Sequence, residues 1–117
     1  MTRMTDVQTA DVRNAETVHR WLASRLDLWG KKALSDDLVE TLTRFCQRIG
    51  KCPDEMIDDC LRPGKERDVY VLRTRARREY MEQIEAFEAE TGSRDQANIV
   101  RSFLIHNGVA MNPNLLP

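Results

Sequence analysis

The sequence has 117 residues, of which 41% are hydrophobic and 32% charged, and its formal net charge is −1. This length fits one globular domain, and no apolar run approaches the roughly 20 residues that span a bilayer. The N-terminus lacks the apolar segment of a signal peptide, and three cysteines without C-x-x-C spacing argue against a disulfide framework. We therefore expect a cytoplasmic protein that does not contact a membrane.

Apolar residues recur at three-and-four spacing along the chain, without the alternation of a strand, which predicts an all-α fold: a small bundle of four to five helices. A first helix is predicted over residues 12–28, with Val18, Trp21, Leu22, Leu26 and Trp29 in the core. The second begins after Ser35, a good N-cap, and ends at Gly50. Its inward residues are Leu38, Leu42, Phe45 and Ile49.

A short third helix is predicted over residues 53–61, because Pro53 suits the first helical position. Its predicted core residues are Met56, Ile57 and Cys60. Residues 62–65, Arg-Pro-Gly-Lys, predict a turn. The longest helix is then expected over residues 68–91, and its inward stripe is Val69, Leu72, Ala76, Tyr80, Ile84 and Phe87.

The last predicted helix follows Ser93, another N-cap candidate, and ends at Gly108. Its core-facing residues are Ala97, Val100, Phe103 and Leu104. The opposite side carries Arg94, Asn98 and Arg101 together with Ile105, which this pattern leaves exposed. Two cations and an amide in one row are less usual on a merely solvated face than Glu and Lys.

The charges are unevenly distributed around the longest helix. Residues 61–78 contain seven basic and two acidic side chains, whereas residues 79–91 contain five glutamates and no basic residue. A local basic cluster, more than net charge, determines whether a protein attracts a polyanion.

Motifs of self-contained catalysis are absent from the sequence. The cysteines and the two histidines, His19 and His106, lack paired zinc-ligand spacing. There is no glycine-rich phosphate loop, G-x-S-x-G or H-E-x-x-H motif. We expect no metal, no cofactor, no small-molecule substrate and no enzymatic activity in this chain.

Two segments carry a family resemblance: ALSDDLVETLTRFCQRIGKCPDEMI at residues 33–57, and the later helix with VRSF, which is followed by Asn112 and Pro113. Together they resemble the N-terminal core-binding domain of tyrosine recombinases of the phage-integrase type, a SAM-like helical bundle. The resemblance covers residues 15–113. The positions that match are Ser35, Phe45, Gly50, Lys51, Val100, Arg101, Ser102, Phe103, Asn112 and Pro113.

The resemblance implies a domain that holds double-stranded DNA at a recombination site, where other recombinase protomers can be partners. Residues 1–11 would be a flexible N-terminus, 12–110 the core-binding domain and 111–117 the start of a linker to a separate catalytic domain. That domain would cleave and join strands during DNA integration. Neither histidine here begins the family's H-x-x-R motif, and Tyr70 and Tyr80 are interpreted as structural.

Candidate DNA contacts are the outward-facing polar residues of these helices. Arginine can hold phosphate or contact guanine, lysine usually holds phosphate, and asparagine suits adenine. The second predicted helix should present Thr41 with two arginines on an outward edge. The candidates are Lys31, Lys32, Thr41, Arg44, Arg48, Arg73, Arg75, Arg77, Arg78, Arg94, Asn98 and Arg101.

Two alternative functions remain open from the sequence. A helical protein-interaction module would use the glutamates at residues 79–90 and an exposed Ile105 as its partner surface. A helix-turn-helix regulator would use the short third helix, the turn and the long basic helix, and would bind an operator as a dimer.

Overall fold

A computed structural model of the chain describes residues 7–63 and 70–109. The described part contains six α-helices, one 3₁₀ turn and a two-stranded antiparallel ribbon, so the predicted all-α bundle is confirmed, with a small ribbon added. The elements are α1 Thr9–Arg13, α2 Glu16–Trp29, the 3₁₀ turn Lys31–Ala33, α3 Asp36–Ile49, α4 Pro53–Cys60, β1 Leu61–Pro63, β2 Tyr70–Leu72, α5 Thr74–Thr91 and α6 Arg94–His106.

Helix α6 packs against α2, α3 and α5 and supplies the centre of the core. Its stripe is buried as predicted, and the rings of Trp21 and Phe103 meet edge to face at 5.5 Å between centroids. Phe45 on α3 meets Phe87 on α5 in the same way, at 5.4 Å. The side chain of Ser93 accepts a hydrogen bond from Gln96 N, which confirms the predicted N-cap.

The first predicted helix is two helices, α1 and α2, that break at Asn14 and Ala15. The N-cap residue of α2, Ala15, has no side-chain oxygen that could accept a hydrogen bond from the first turn. A carboxylate from α4 does this instead: Asp54 Oδ1 accepts from Thr17 N at 3.0 Å and from Thr17 Oγ1 at 2.5 Å. Burial raises the pKa of Asp54, but the hydrogen bonds from Thr17 and the nearby Arg20 outweigh it and lower the pKa overall.

The N-terminal boundary predicted at residue 12 is too late. Val7 is buried, its carbonyl accepts from Gln47 Nε2 at 2.8 Å, and α1 begins at Thr9. Residues 7–11 therefore belong to the fold, while the rest of the predicted flexible segment and the predicted linker at 111–117 lie outside the described residues.

Helices α3 and α4 join through Gly50, where α3 ends as predicted, and the φ of this glycine, 71°, is in the left-handed region. Met56, Ile57 and Cys60 of α4 are buried, as predicted. Cys46 and Cys60 are fully buried and Cys52 partly so, and all three are free thiols. Burial raises the pKa of the Cys60 thiol to about 11, so it stays protonated at neutral pH.

The prediction that the long helix starts at residue 68 is wrong, because Tyr70–Leu72 form β2 and α5 begins at Thr74. Leu61 pairs with Leu72, and Arg73 N donates to Cys60 O at 2.7 Å. The run Val-Tyr-Val before Leu72 has β-branched and aromatic residues that favour a strand. Leu72 is consequently exposed; Val69 and residues 64–65 of the predicted turn lie outside the described residues.

Three burial predictions fail at the ends of helices. Leu26 and Trp29 continue the apolar stripe of α2, but each is 43% exposed, whereas Val18 and Trp21 earlier in the stripe are fully buried. Ile105, predicted to be exposed, is half-buried against the core. Periodicity assigns a helix face but not where the neighbouring helices end.

We predict that Asp54→Ala lowers the free energy of unfolding by about 1–2 kcal/mol, because α2 loses its cap from another helix. Asp58→Ala, which removes an exposed carboxylate from the same helix, should change it little. Because the pKa of Asp54 is lowered in the fold, its contribution is present above the unfolded carboxyl pKa of about 4 and is lost as pH falls through the folded value. Urea unfolding at pH 7 and pH 3 measures the loss of stability and its pH dependence. Equal effects of the two variants at pH 7 would contradict the assignment of Asp54 as the cap of α2.

Candidate nucleic-acid interface

A groove of about 540 Å³ opens between the C-terminal end of α3, the end of α4 and the N-terminal half of α5. Four basic and two acidic side chains line it: Arg48, Lys51, Arg73, Arg75, Asp59 and Glu79. The groove therefore has a net positive charge, and its cations come from segments that are far apart in the sequence.

Asp59 holds together the segments that line this groove. Its Oδ2 accepts from Tyr80 Oη at 2.6 Å and from Lys51 Nζ at 3.1 Å, which ties α4 to α5 and to the residue after Gly50. Burial and the hydrogen bond to Asp59 both raise the pKa of Tyr80, so the phenol remains a neutral donor. Tyr80 is thus a structural residue, as its core position predicted.

Two of the four basic side chains, Arg48 and Lys51, already form ion pairs within the protein. Arg48 Nε donates to Glu90 Oε2 at 2.9 Å, and its Nη1 donates to Gln83 Oε1 at 2.5 Å. The hydrogen bond from Arg48 lowers the pKa of Glu90. In the part of the chain that the structure describes, the exposed side chains of Arg73 and Arg75 have no ion-pair partner.

The position of these two arginines on α5 is unfavourable for the helix itself. Arg73 is its N-cap and Arg75 lies in its first turn, which contains no acidic residue. The N-terminus of a helix carries partial positive charge, so cations there destabilise the helix and anions stabilise it. Helix stability therefore does not account for this placement.

The other arginines of α5 differ from one another. Arg78 is exposed, one turn further along, whereas Arg77 is half-buried and makes an interaction within the protein. The predicted cluster at residues 73–78 wraps around the helix, and the structure places only Arg73 and Arg75 of it in the groove.

The row of polar residues predicted on the last helix, Arg94, Asn98 and Arg101, lies together on α6. Both arginines of this row contact the carboxylate of Glu88 on α5. Arg101 Nη1 donates to Asn98 Oδ1 at 2.9 Å and to Glu88 Oε1 at 3.3 Å, and Arg94 Nε lies 3.8 Å from Glu88 Oε2. Residues on either side of the turn at Gly92 face each other in the α5–α6 hairpin. The sequence spacing does not reveal this pairing, because Glu88 precedes Gly92 by four residues whereas Arg94 and Arg101 follow it by two and nine.

The prediction that Thr41 lies on an outward edge is wrong. Thr41 is buried, and its hydroxyl accepts from Arg44 Nη2 at 3.3 Å. Arg44 also donates to Gln96 Oε1 at 2.9 Å, so it joins α3 to the first turn of α6. Threonine can lie on the buried or on the exposed face of a helix. The prediction for Thr41 rested only on its spacing of one and two turns from Arg44 and Arg48.

Lys31 and Lys32 lie on the 3₁₀ turn before α3, and both are exposed. Arg48 is at the other end of α3, which has 14 residues and is therefore about 20 Å long. The predicted contacts consequently form separate clusters rather than one surface. Lys51 was not among the predicted contacts. Its position directly after Gly50, where the chain reverses at the end of α3, could have indicated it.

Metal sites and membrane-spanning helices are two further features to consider in this chain. Among residues 7–63 and 70–109, no group of three Cys, His, Asp or Glu side chains is arranged to hold a metal ion. No helix in the described ranges has the length and apolar character needed to cross a bilayer. Comparison of the chain with protein-family models, curated proteins and solved structures finds no match.

We predict that Arg101 contributes to stability while Arg94 does not. The Arg101 side chain is 13% exposed and the Arg94 side chain 73% exposed, although both pair with Glu88. Arg101→Ala should lower the free energy of unfolding by about 1–2 kcal/mol through lost packing and hydrogen bonds. Arg94→Ala should change it by less than about 0.5 kcal/mol. Urea unfolding of both variants tests this, and equal losses would contradict the distinction drawn from burial.

Proposed function

We propose that this chain binds double-stranded DNA through the groove between α3, α4 and α5. The observation that supports this most directly is the convergence of Arg48, Lys51, Arg73 and Arg75 on one open surface. Phosphate contacts from arginine and lysine supply most of the affinity of proteins for DNA. The groove would hold phosphates and set the position of the domain on the duplex.

The spacing of the unpaired arginines suits a row of phosphates better than one small anion. Arg73, Arg75 and the exposed Arg78 span the N-cap and the first five residues of α5, which corresponds to about 8 Å along a helix axis. They do not all face one point, because Arg78 is outside the groove lining. A backbone that carries several phosphates can contact all three.

The resemblance of residues 15–113 to core-binding domains supports a narrower form of the proposal. In that form the chain grips a recombination site, and a separate catalytic domain of a tyrosine recombinase cleaves and joins the strands. The chain would then have no strand-transfer chemistry of its own. The Arg94, Asn98 and Arg101 row would read bases only by exchanging its contacts with Glu88.

The helix-turn-helix alternative is less well supported. A ribbon separates α4 from α5, whereas that motif needs a turn of three or four residues. The other pair, α3 and α4, would present α4 to the DNA. That helix carries Asp54, Glu55, Asp58 and Asp59 and no basic residue, so it would be repelled by phosphates.

The interaction-module alternative keeps only part of the surface on which it was based. Glu88 and Glu90 pair with arginines of this chain, and Ile105 is half-buried against the core, whereas Glu79, Glu82 and Glu85 are exposed.

We predict that Arg75→Glu abolishes measurable duplex binding while slightly stabilising the protein. The new carboxylate repels phosphate but interacts favourably with the N-terminus of α5, by about 0.3–1 kcal/mol. Arg13→Glu is the matched control, since it reverses one exposed arginine on α1 and produces the same net charge. Fluorescence anisotropy with a labelled duplex and urea unfolding measure the two effects.

The salt dependence of wild-type binding gives a second readout in the same assay. About three phosphate contacts, from Arg73, Arg75 and Arg78, predict that log K falls with log salt at a slope near −3. Equal binding by the Arg75→Glu and Arg13→Glu variants would show that the groove is not the contact surface. No binding by the wild type at low salt would overturn the proposal itself.

We further predict that Glu90→Gln strengthens duplex binding. This carboxylate neutralises Arg48, and its replacement by a neutral amide leaves the guanidinium available to phosphate. The control is Glu82→Gln, which removes one exposed negative charge from α5 and for which no ion pair is seen among the described residues. A larger gain for Glu90→Gln in anisotropy is expected; equal gains would indicate only a general charge effect.

A further inference from the structure

The last turn of α2 presents large apolar side chains that the rest of the fold does not cover. Leu28 is 60% exposed, and Leu26 and Trp29 are exposed although their spacing continues the buried stripe of Val18 and Trp21. Together with Leu34, which follows the 3₁₀ turn, they make up four of the five exposed large apolar residues in the described chain. We call these four residues the α2-end patch.

These side chains come from two adjacent segments, the last turn of α2 and the residue after the 3₁₀ turn. The guanidinium of Arg25 lies 5.5 Å from the centre of the Trp29 ring, and Arg25 Nε donates to Ala33 O at 2.9 Å. This bond brings the chain at Leu34 next to the last turn of α2. Leu26 and Trp29 are three residues apart and are therefore neighbours on the helix surface.

Trp29 is held in place although it is exposed. Its ring meets that of His106 edge to face at 5.4 Å, and His106 Nδ1 lies 2.7 Å from Ser24 Oγ. A fixed aromatic side chain loses little conformational freedom on binding, and tryptophan and arginine are frequent anchors of protein interfaces. The α2-end patch therefore has the composition of an interface centre.

The charges around the α2-end patch have both signs. Lys31 and Lys32 precede Leu34 in the chain, and Asp36 and Asp37 follow it, all four exposed. Neither a uniformly acidic nor a uniformly basic partner would match charges of both signs. A surface with a basic and an acidic side is complementary to itself when rotated by 180°.

We propose that the α2-end patch is a two-fold interface between two copies of this chain. Trp29 and its leucine neighbours pack across the axis, and the lysine pair of each copy faces the aspartate pair of the other. The apolar area is small, so the dimer is weak and forms at high protein concentration or when two copies are held close together. This interface is separate from the basic groove and does not depend on DNA binding.

Sedimentation equilibrium without DNA tests the proposal, with wild-type protein at concentrations up to about 0.5 mM. We expect reversible dimerisation that Leu28→Asp weakens at least tenfold. The matched control is Leu72→Asp, which places the same charge on the exposed leucine of β2, outside the α2-end patch, and should leave the dimer unchanged. A monomeric wild type, or equal weakening by both variants, overturns the proposal.

A charge exchange distinguishes a second copy from any other partner. The double variants Lys31→Asp/Lys32→Asp and Asp36→Lys/Asp37→Lys should each dimerise at least tenfold more weakly than the wild type. An equimolar mixture of the two should recover association as a heterodimer, because opposite signs meet again. Failure of the mixture to associate beyond the separate variants would overturn the two-fold arrangement, whereas the result of the duplex-binding assay does not affect it.

Discussion

The contact between Trp21 and Phe103 joins the two helices on which the remaining elements are assembled. Trp21 Nε1 also donates to Ser102 Oγ at 3.1 Å, and Arg25 Nη1 donates to the same oxygen at 3.0 Å. Further along the helix pair, the buried Asn107 donates to Thr17 O and to Phe103 O, both at 3.0 Å. The polar groups between α2 and α6 are thereby satisfied, and α3 and α5 can pack on the other sides of α6.

The two halves of α5 have different roles because their charges meet different surroundings. In the acidic half, Glu88 and Glu90 neutralise arginines that reach them from α6 and α3. In the basic half, Arg73 and Arg75 face an open groove and oppose the helix dipole. The proposed phosphate contacts would offset this cost to helix stability, and the acidic half limits the number of arginines that remain available for them.

The sequence predicted the helical bundle well because its signals are local. The capping serine at residue 93, the left-handed glycines at 50 and 92 and the apolar stripe of α6 are set by neighbours within a few residues. The ribbon was missed because β2 has only three residues, too few for alternation to be visible. The groove and the pairing of Glu88 depend on contacts between distant segments, for which helical spacing carries no information. Leu26 and Trp29 were assigned to the core because spacing does not reveal which surface is left uncovered.

The cap that α4 provides to α2 has a consequence for how the chain folds. Asp54 and Thr17 are 37 positions apart, so the N-terminal turn of α2 remains without its acceptor until that loop has closed. Loop closure costs entropy that only later contacts repay, and a helix of 14 residues is marginal by itself in water. The N-terminal turn of α2 is therefore completed only when α4 docks, after the loop that contains α3 has closed.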